Sequence, residues 1–263
     1  MKKTIRRFAP VALVLFGLAT LSFMAKDVIT LRLKPQQGKS YSINSKASMM
    51  VMMEVQGQTM NQSQVVETTQ SFSAKSVTDA KCTFETQIEA LKMTISQMGM
   101  KLEYDSEHPE KTSPMLAGQT AEMDKVIKKP ATITYDNLGK VVDSLDLEMS
   151  QLSAAIMEMP EEAISVGSSW TRDKKQSVNG TEINAKMTYT VSAISKKSID
   201  LNVTGTITGS NETSGTYTGT ASVNPQTGLV TTSSIKSNIS MTISEQGLSI
   251  PVTIVGNTTV DVK

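Results

Sequence analysis

Histidine and cysteine each occur once in this sequence, as His108 and Cys82, and that scarcity removes most routes to chemistry. A nucleophile paired with an imidazole would have to use His108, and a metal site could draw on one imidazole at most. His108 stands in Tyr104-Asp105-Ser106-Glu107-His108-Pro109-Glu110, which reads as a solvated turn before proline. The acidic residues of that stretch lack the glycine and the regular oxygen spacing of a dedicated calcium loop. A single cysteine excludes an internal disulfide, and its alternation with Phe84 predicts a buried, inert thiol. No phosphate-cradling glycine loop, no Gly-x-Ser-x-Gly elbow and no His-Glu-x-x-His helix occurs. The expectation is a protein that is not an enzyme, with no catalytic residue, no metal and no cofactor.

Aromatic residues are only 4% of the chain, and Phe8, Phe16 and Phe23 fall within its first 25 residues. The remainder has Phe72, Phe84, Trp170 and five tyrosines, too few for a platform that stacks bases or sugars. Basic excess is missing too. Beyond residue 25 there are 22 Lys plus Arg against 25 Asp plus Glu, a balance that argues against a nucleic-acid partner.

Long apolar runs are absent except at the start. Lys2, Lys3, Arg6 and Arg7 precede an uncharged run from Phe8 to Ala25, with small residues at Ala19 and Ala25. That layout predicts a signal peptide over 1–25 and a periplasmic or extracellular product. The alternative is an uncleaved anchor helix, for which the run is long enough. No cysteine stands near its end to carry a lipid.

What the chain has in quantity is alternation. Ile199, Leu201, Val203, Gly205 and Ile207 interleave with Asp200, Asn202, Thr204, Thr206 and Thr208, a period of two that marks a half-buried antiparallel strand. The same rhythm runs from Tyr41 to Val55, from Cys82 to Ala90, from Ile239 to Ile243 and from Leu248 to Ile254. Turn signals stand at Gln56-Gly57-Gln58 and Glu245-Gln246-Gly247. The period changes twice. Ser113-Pro114 opens a helix near 113–128 with Met115, Leu116, Met123, Val126 and Ile127 on one face, and Met149, Leu152, Ile156 and Met159 predict another over 148–158, ending at Pro160.

Part of this pattern is repeated. Phe72, Val77, Cys82 and Phe84 match Tyr189, Ile194, Ile199 and Leu201 at constant offset, Gly38-Lys39-Ser40-Tyr41 matches Gly167-Ser168-Ser169-Trp170, and Tyr135 to Val141 resembles Val223 to Val230. The expected organisation is one β-rich domain over 26–263: repeat one at 28–146, a helical connection at 147–164 and repeat two at 165–263. The fold class is mainly β, a curved antiparallel sheet or half-barrel of two related β units, with two short amphipathic helices on its apolar face.

Methionine is the side chain in excess, 17 in all. Met49, Met50, Met52, Met53 and Met60 cluster around the first hairpin, followed by Met93, Met98 and Met100. Thioethers can bind Cu(I), but alternation sends Met49 and Met53 to one face and Met50 and Met52 to the other. A flexible apolar surface for lipids or acyl chains is a second reading, and plain core filling a third.

The motifs Gly38-Lys39-Ser40-Tyr41, Tyr104-Asp105-Ser106, Thr134-Tyr135-Asp136 with Gly139-Lys140-Val141, and Pro160 followed by Gly167-Ser168-Ser169-Trp170 resemble those of a family of uncharacterised exported bacterial envelope proteins, a domain of unknown function. The resemblance implies an exported protein and transfers no catalytic residue. More distantly, sheet plus covering helices is similar to the periplasmic lipoprotein-carrier half-barrels, and fold likeness alone does not carry function.

The function expected is that of an exported, non-catalytic envelope protein binding a lipid or other hydrophobic ligand in an apolar groove lined by Met49, Val51, Met53, Ile88, Met93, Leu152 and Ile156. Partners are then a hydrophobic small molecule or an envelope protein, with peripheral membrane contact compatible. The alternatives are a structural or adhesive module acting through strand edges, with the Thr/Ser/Gly-rich stretch from Gly205 to Thr220 as its support, and a Met-rich Cu(I) binder.

Overall fold

The period-two stretches become strands in a computed structural model, which describes residues 28–55, 57–145, 154–178, 181–245 and 248–263. The predicted signal segment, Gln56, Leu152 and the Gln246-Gly247 turn lie outside the described residues. The strands are β1 (Ser40–Val55), β2 (Gln58–Val77), β3 (Lys81–Gln97), β4 (Met100–Asp105), β5 (Ala131–Asp136), β6 (Val141–Leu145), β7 (Ser169–Val178), β8 (Thr181–Ile194), β9 (Ile199–Gly209), β10 (Ser214–Val223), β11 (Val230–Glu245) and β12 (Leu248–Val262), with the α-helix α1 (Ala117–Val126) between β4 and β5.

All of them join one antiparallel sheet in the order β6-β5-β3-β2-β1-β12-β11-β10-β9-β8-β7, with β4 beside β3. The sheet is open: β6 and β7 end the series and it does not close into a barrel. Strand β3 serves two partners along one edge, β5 from Lys81 to Thr86 and β4 from Lys92 to Gln97. The first and last strands meet in the middle, where Met49 opposes Gly256 and Val51 opposes Ile254.

The matched sequences occupy like positions in the two halves. Tyr41 opposes Phe72 as Trp170 opposes Tyr189. The hairpins β2–β3 and β8–β9 bulge between Ala74 and Ser76 and between Val191 and Ala193. Gly38 N donates to Ala74 O at 2.8 Å, and Gly167 N to Val191 O at 2.9 Å.

Alternation sorts the side chains between an inner, core-bearing face and an outer face. Along β1, β2, β3 and β12 every charged residue lies on the outer face or at a strand end, where Lys46 meets Glu67 at 2.7 Å and Lys92 meets Glu107 at 3.2 Å. On the inner face Phe72 and Phe84 stack with centroids 4.0 Å apart, and Tyr135 meets Phe84 edge-on at 6.0 Å. Over this core run two straps without regular structure, around 29–34 and 154–164, which supply Leu31, Leu33, Ala155, Ile156, Met157, Met159 and Ile164 to the buried cluster.

The straps are held through their backbones. Ile29 and Ile164 exchange two hydrogen bonds of 2.8 Å, Leu33 N donates to Asn137 O at 2.9 Å, and Lys34 N donates to Thr227 O at 2.8 Å. Met159 N donates to Leu138 O at 2.7 Å, and Trp170 Nε1 donates to Glu158 O at 3.0 Å. The second strap thereby ties the β5–β6 turn to edge strand β7. Gly139 and Gly228, with φ of 82° and 72°, stand where a Cβ would overlap Met157 O and Arg32 O respectively.

Two expectations need correction. The helix over 148–158 does not extend to Pro160: residues 148–153 lie outside the described residues, Ala154 is in a 3-10 turn, and residues 156–160 are irregular, their polar groups bonding to the β5–β6 turn and to Trp170 and Arg172 instead of to each other. The three- and four-residue spacing of Ile156 and Met159 placed both in the core, which a strap achieves as well as a helix. The Gly205 to Thr220 stretch, expected to support edge pairing, lies on β9 and β10, which have partners on both sides. The first helix is present as α1. It lays Leu116, Met123 and Ile127 over a second cluster made by Ile88, Leu91, Met93 and Tyr104, and Tyr104 Oη donates to Asp124 Oδ1 at 2.5 Å.

Candidate functional site: the exposed half of the inner face

Burial along the inner face of β1 is deep at one end and only partial at the other. Ile43, under the straps, is 1% exposed, whereas Met49 is 36% exposed. Across the sheet at this far end run rows of side chains set by the pairing register. One row is Ile95, Gln64, Met49, Gly256, Ser237, Tyr217, Gly205 and Met187. The next is Gln97, Gln62, Val51, Ile254, Ile239, Gly215, Ile207 and Ala185. Beyond them Met60, Met53, Val252 and Met241 stand side by side.

Large and small residues alternate within these rows. Ile207 reaches over Gly215, and Tyr217 stands opposite Gly205. Burial raises the Tyr217 pKa above its ordinary value. The result is an aliphatic surface on which Val252 is buried and Ile254, Ile239, Met241, Val51 and Met53 are half-buried. Ile243 and Leu248 at its rim are 41% and 50% exposed. Apolar area of this kind gives about 25 cal/mol for each Å² that a ligand removes from water.

On β2 the inner face turns polar. Gln62 and Gln64 border Val51 and Met49, and Gln62 faces Gln97 across the β2–β3 pair. Gln64 Nε2 donates to Met93 Sδ at 3.3 Å, and deeper in, Gln70 Nε2 donates to Thr86 Oγ1 at 2.9 Å. This line of amides separates the β1–β12–β11 surface from the patch that α1 covers.

The residues expected to line a groove therefore fall in three places. Met49, Val51 and Met53 share the exposed inner surface of β1, Ile88 and Met93 lie buried beneath α1, and Ile156 lies in the strap-covered core. Leu152 is outside the described residues. The neighbours Val252, Ile254, Ile239 and Met241 alternate visibly in the sequence, but nothing there says that β12 pairs with β1. The glutamines were missed because polar residues at inward positions of a strand look like an error in its pattern.

The single cysteine and the single histidine stand in different parts of the fold. Cys82 is fully buried, its Sγ 3.4 Å from Leu33 O, and burial pushes its pKa up to about 11. His108 is exposed in the turn after β4, its Nδ1 3.1 Å from Asp105 Oδ2. Among the described residues no three His, Cys, Asp or Glu side chains are placed to hold a metal ion, and no helix is long and apolar enough to cross a membrane. The outer face has a polar depression of about 460 Å³ bordered by Lys46, Glu67, Lys92 and Glu107, the charges that already pair with one another.

No curated protein matches the sequence. Among solved structures, one titled for lipid–protein interactions in lipovitellin aligns with a TM-score of 0.40 at 11% identity, over 87% of this chain and 25% of that one. This chain thus spans about a quarter of the length of that neighbour. In sequence, residues 149–243, which include the second strap and run from β7 into β11, match the model of a family of unknown function, DUF6263.

Proposed function

We propose that this protein is an exported, non-catalytic binding protein that holds a lipid or other hydrophobic ligand against the exposed half of its inner face. One observation carries the reading: Met49, Val51, Met53, Ile254, Ile239 and Met241 form a continuous aliphatic surface beyond the reach of the straps and of α1. Core filling accounts for methionines such as Met157 and Met159, which are buried, and leaves Met49 and its neighbours unexplained. Flexible thioethers adapt to acyl chains at low cost. Export rests on the charged and apolar pattern of the first 25 residues.

Native mass spectrometry of gently extracted protein tests the reading, together with the uptake of Nile red, an uncharged hydrophobic dye. The expected result is a co-purified amphiphile and saturable dye binding that Met53→Arg lowers by about tenfold, with little change in stability because the position is half-buried. A chain that always emerges empty and leaves the dye in water sinks the proposal.

A further inference from the structure

Along β1, β2, β3 and β12 the inner face joins an aliphatic surface to amides, and its nearest charge in the rows is Arg172 on the distant edge strand β7. From Tyr41 to Val55 on β1, Gln58 to Ala74 on β2, Cys82 to Gln97 on β3 and Leu248 to Val262 on β12, no inward-facing residue is ionisable except Tyr41 and Cys82 at the strap-covered end. The amides at the exposed end of β2 and β3 are Gln58, at the strand terminus and exposed, and Gln62, Gln64 and Gln97. Gln64 is engaged with Met93 Sδ. Gln62 and Gln97, half-buried and opposite one another, bond to no other side chain among the described residues. An amide offers a donor and an acceptor together, so it matches an ester, an amide or a hydroxyl. A carboxylate or phosphate set here would lose water without meeting a cation, which is unfavourable.

Taking the proposed hydrophobic ligand as given, we infer that Gln62 and Gln97 are its polar anchor and that they select an uncharged acyl amphiphile. Its ester, amide or hydroxyl group bonds to the two glutamines, and its chain lies across Val51, Ile254 and Ile239. The row geometry supports this direction. Gln97, Gln62, Val51, Ile254 and Ile239 are successive members of one line across the sheet, with neighbouring strands about 4.8 Å apart. That line is long enough for a medium acyl chain.

Competition against Nile red on the full chain tests the inference, using monolaurin, lauramide and laurate, which share one chain, at a mildly alkaline pH where laurate is ionised. Monolaurin and lauramide are expected to displace the dye at concentrations about tenfold below laurate. In the Gln62→Leu/Gln97→Leu double variant the dye still binds and that preference collapses. Laurate competing as well as monolaurin, or a preference that survives in the double variant, overturns the role given to the glutamines while leaving hydrophobic binding standing. If neither dye nor any of the three amphiphiles binds the wild-type chain, both readings fall. Retained dye binding and an unchanged far-ultraviolet spectrum establish that the variant is folded.

Discussion

Gly139 and Gly228 combine a positive φ with a close approach to backbone. Each has a positive φ and faces the carbonyl of a strap, so a side chain there meets both backbone strain and a backbone atom that cannot swing aside. Gly38 has a similar φ of 78° with nothing within 4 Å. Gly139→Ala and Gly228→Ala are expected to cost about 3 kcal/mol each in urea unfolding, against about 1 kcal/mol for Gly38→Ala. Equal losses at all three would remove the straps from the explanation. Cys82 gives a second prediction. Its thiol stays protonated in the fold up to about 11 against an ordinary 9.0, so the unfolded chain releases that proton first. The associated stability is present below pH 9.0 and is lost as pH rises toward about 11. A thiol reagent should leave the native protein unlabelled and react only when the chain unfolds; prompt labelling of native protein contradicts the burial.

Among the described elements, α1 is the one laid on the sheet through side chains. Leu116, Met123 and Ile127 pack on β3 and β4, and the Tyr104 hydroxyl bonds to Asp124. Burial, then that carboxylate, raises the tyrosine pKa. Tyr104→Phe is expected to cost about 1 to 2 kcal/mol and to speed amide exchange in α1 more than in β12. Uniform exchange across both would mean that α1 is not separately held. The strands were more legible than the helices: the alternation in β1, β3, β9, β11 and β12 predicts each of them, because their inward positions are almost free of charge while an outer face of Ser, Thr, Asn and Lys leaves a clean pattern. The second helix was expected to run too far, because Ile156 and Met159 satisfy the helical spacing while Glu158, Met159 and Pro160 give their carbonyls to Trp170, Arg172 and Arg32. Such long-range partners have no local signature.

At the scale of the whole molecule, the β1–β12 pair joins two sets of strands that, apart from β3–β5, are formed by chain neighbours. Deleting 248–263 would leave β1 and β11 as long edges, with Met49, Val51 and Met53 beside one of them. That truncation is expected to aggregate, as read by light scattering and by loss of a cooperative melt. A soluble, cooperatively folding product would show that the central pairing is dispensable.

Composition and alternation by themselves determined that this chain forms amphipathic strands, that Cys82 and Phe84 face inward, and that His108 stands in a turn, because each depends on a residue and its near neighbours. Tertiary structure alone decided that the first strand meets the last, that Ile156 and Met159 reach the core from a strap, and that Met49 is left exposed while Met93 is covered. Those outcomes depend on which surfaces meet across more than a hundred residues of chain, as Ile29 meets Ile164 and Met49 meets Gly256. The period of a strand marks which side of it is apolar, and only the packed fold determines what that side touches.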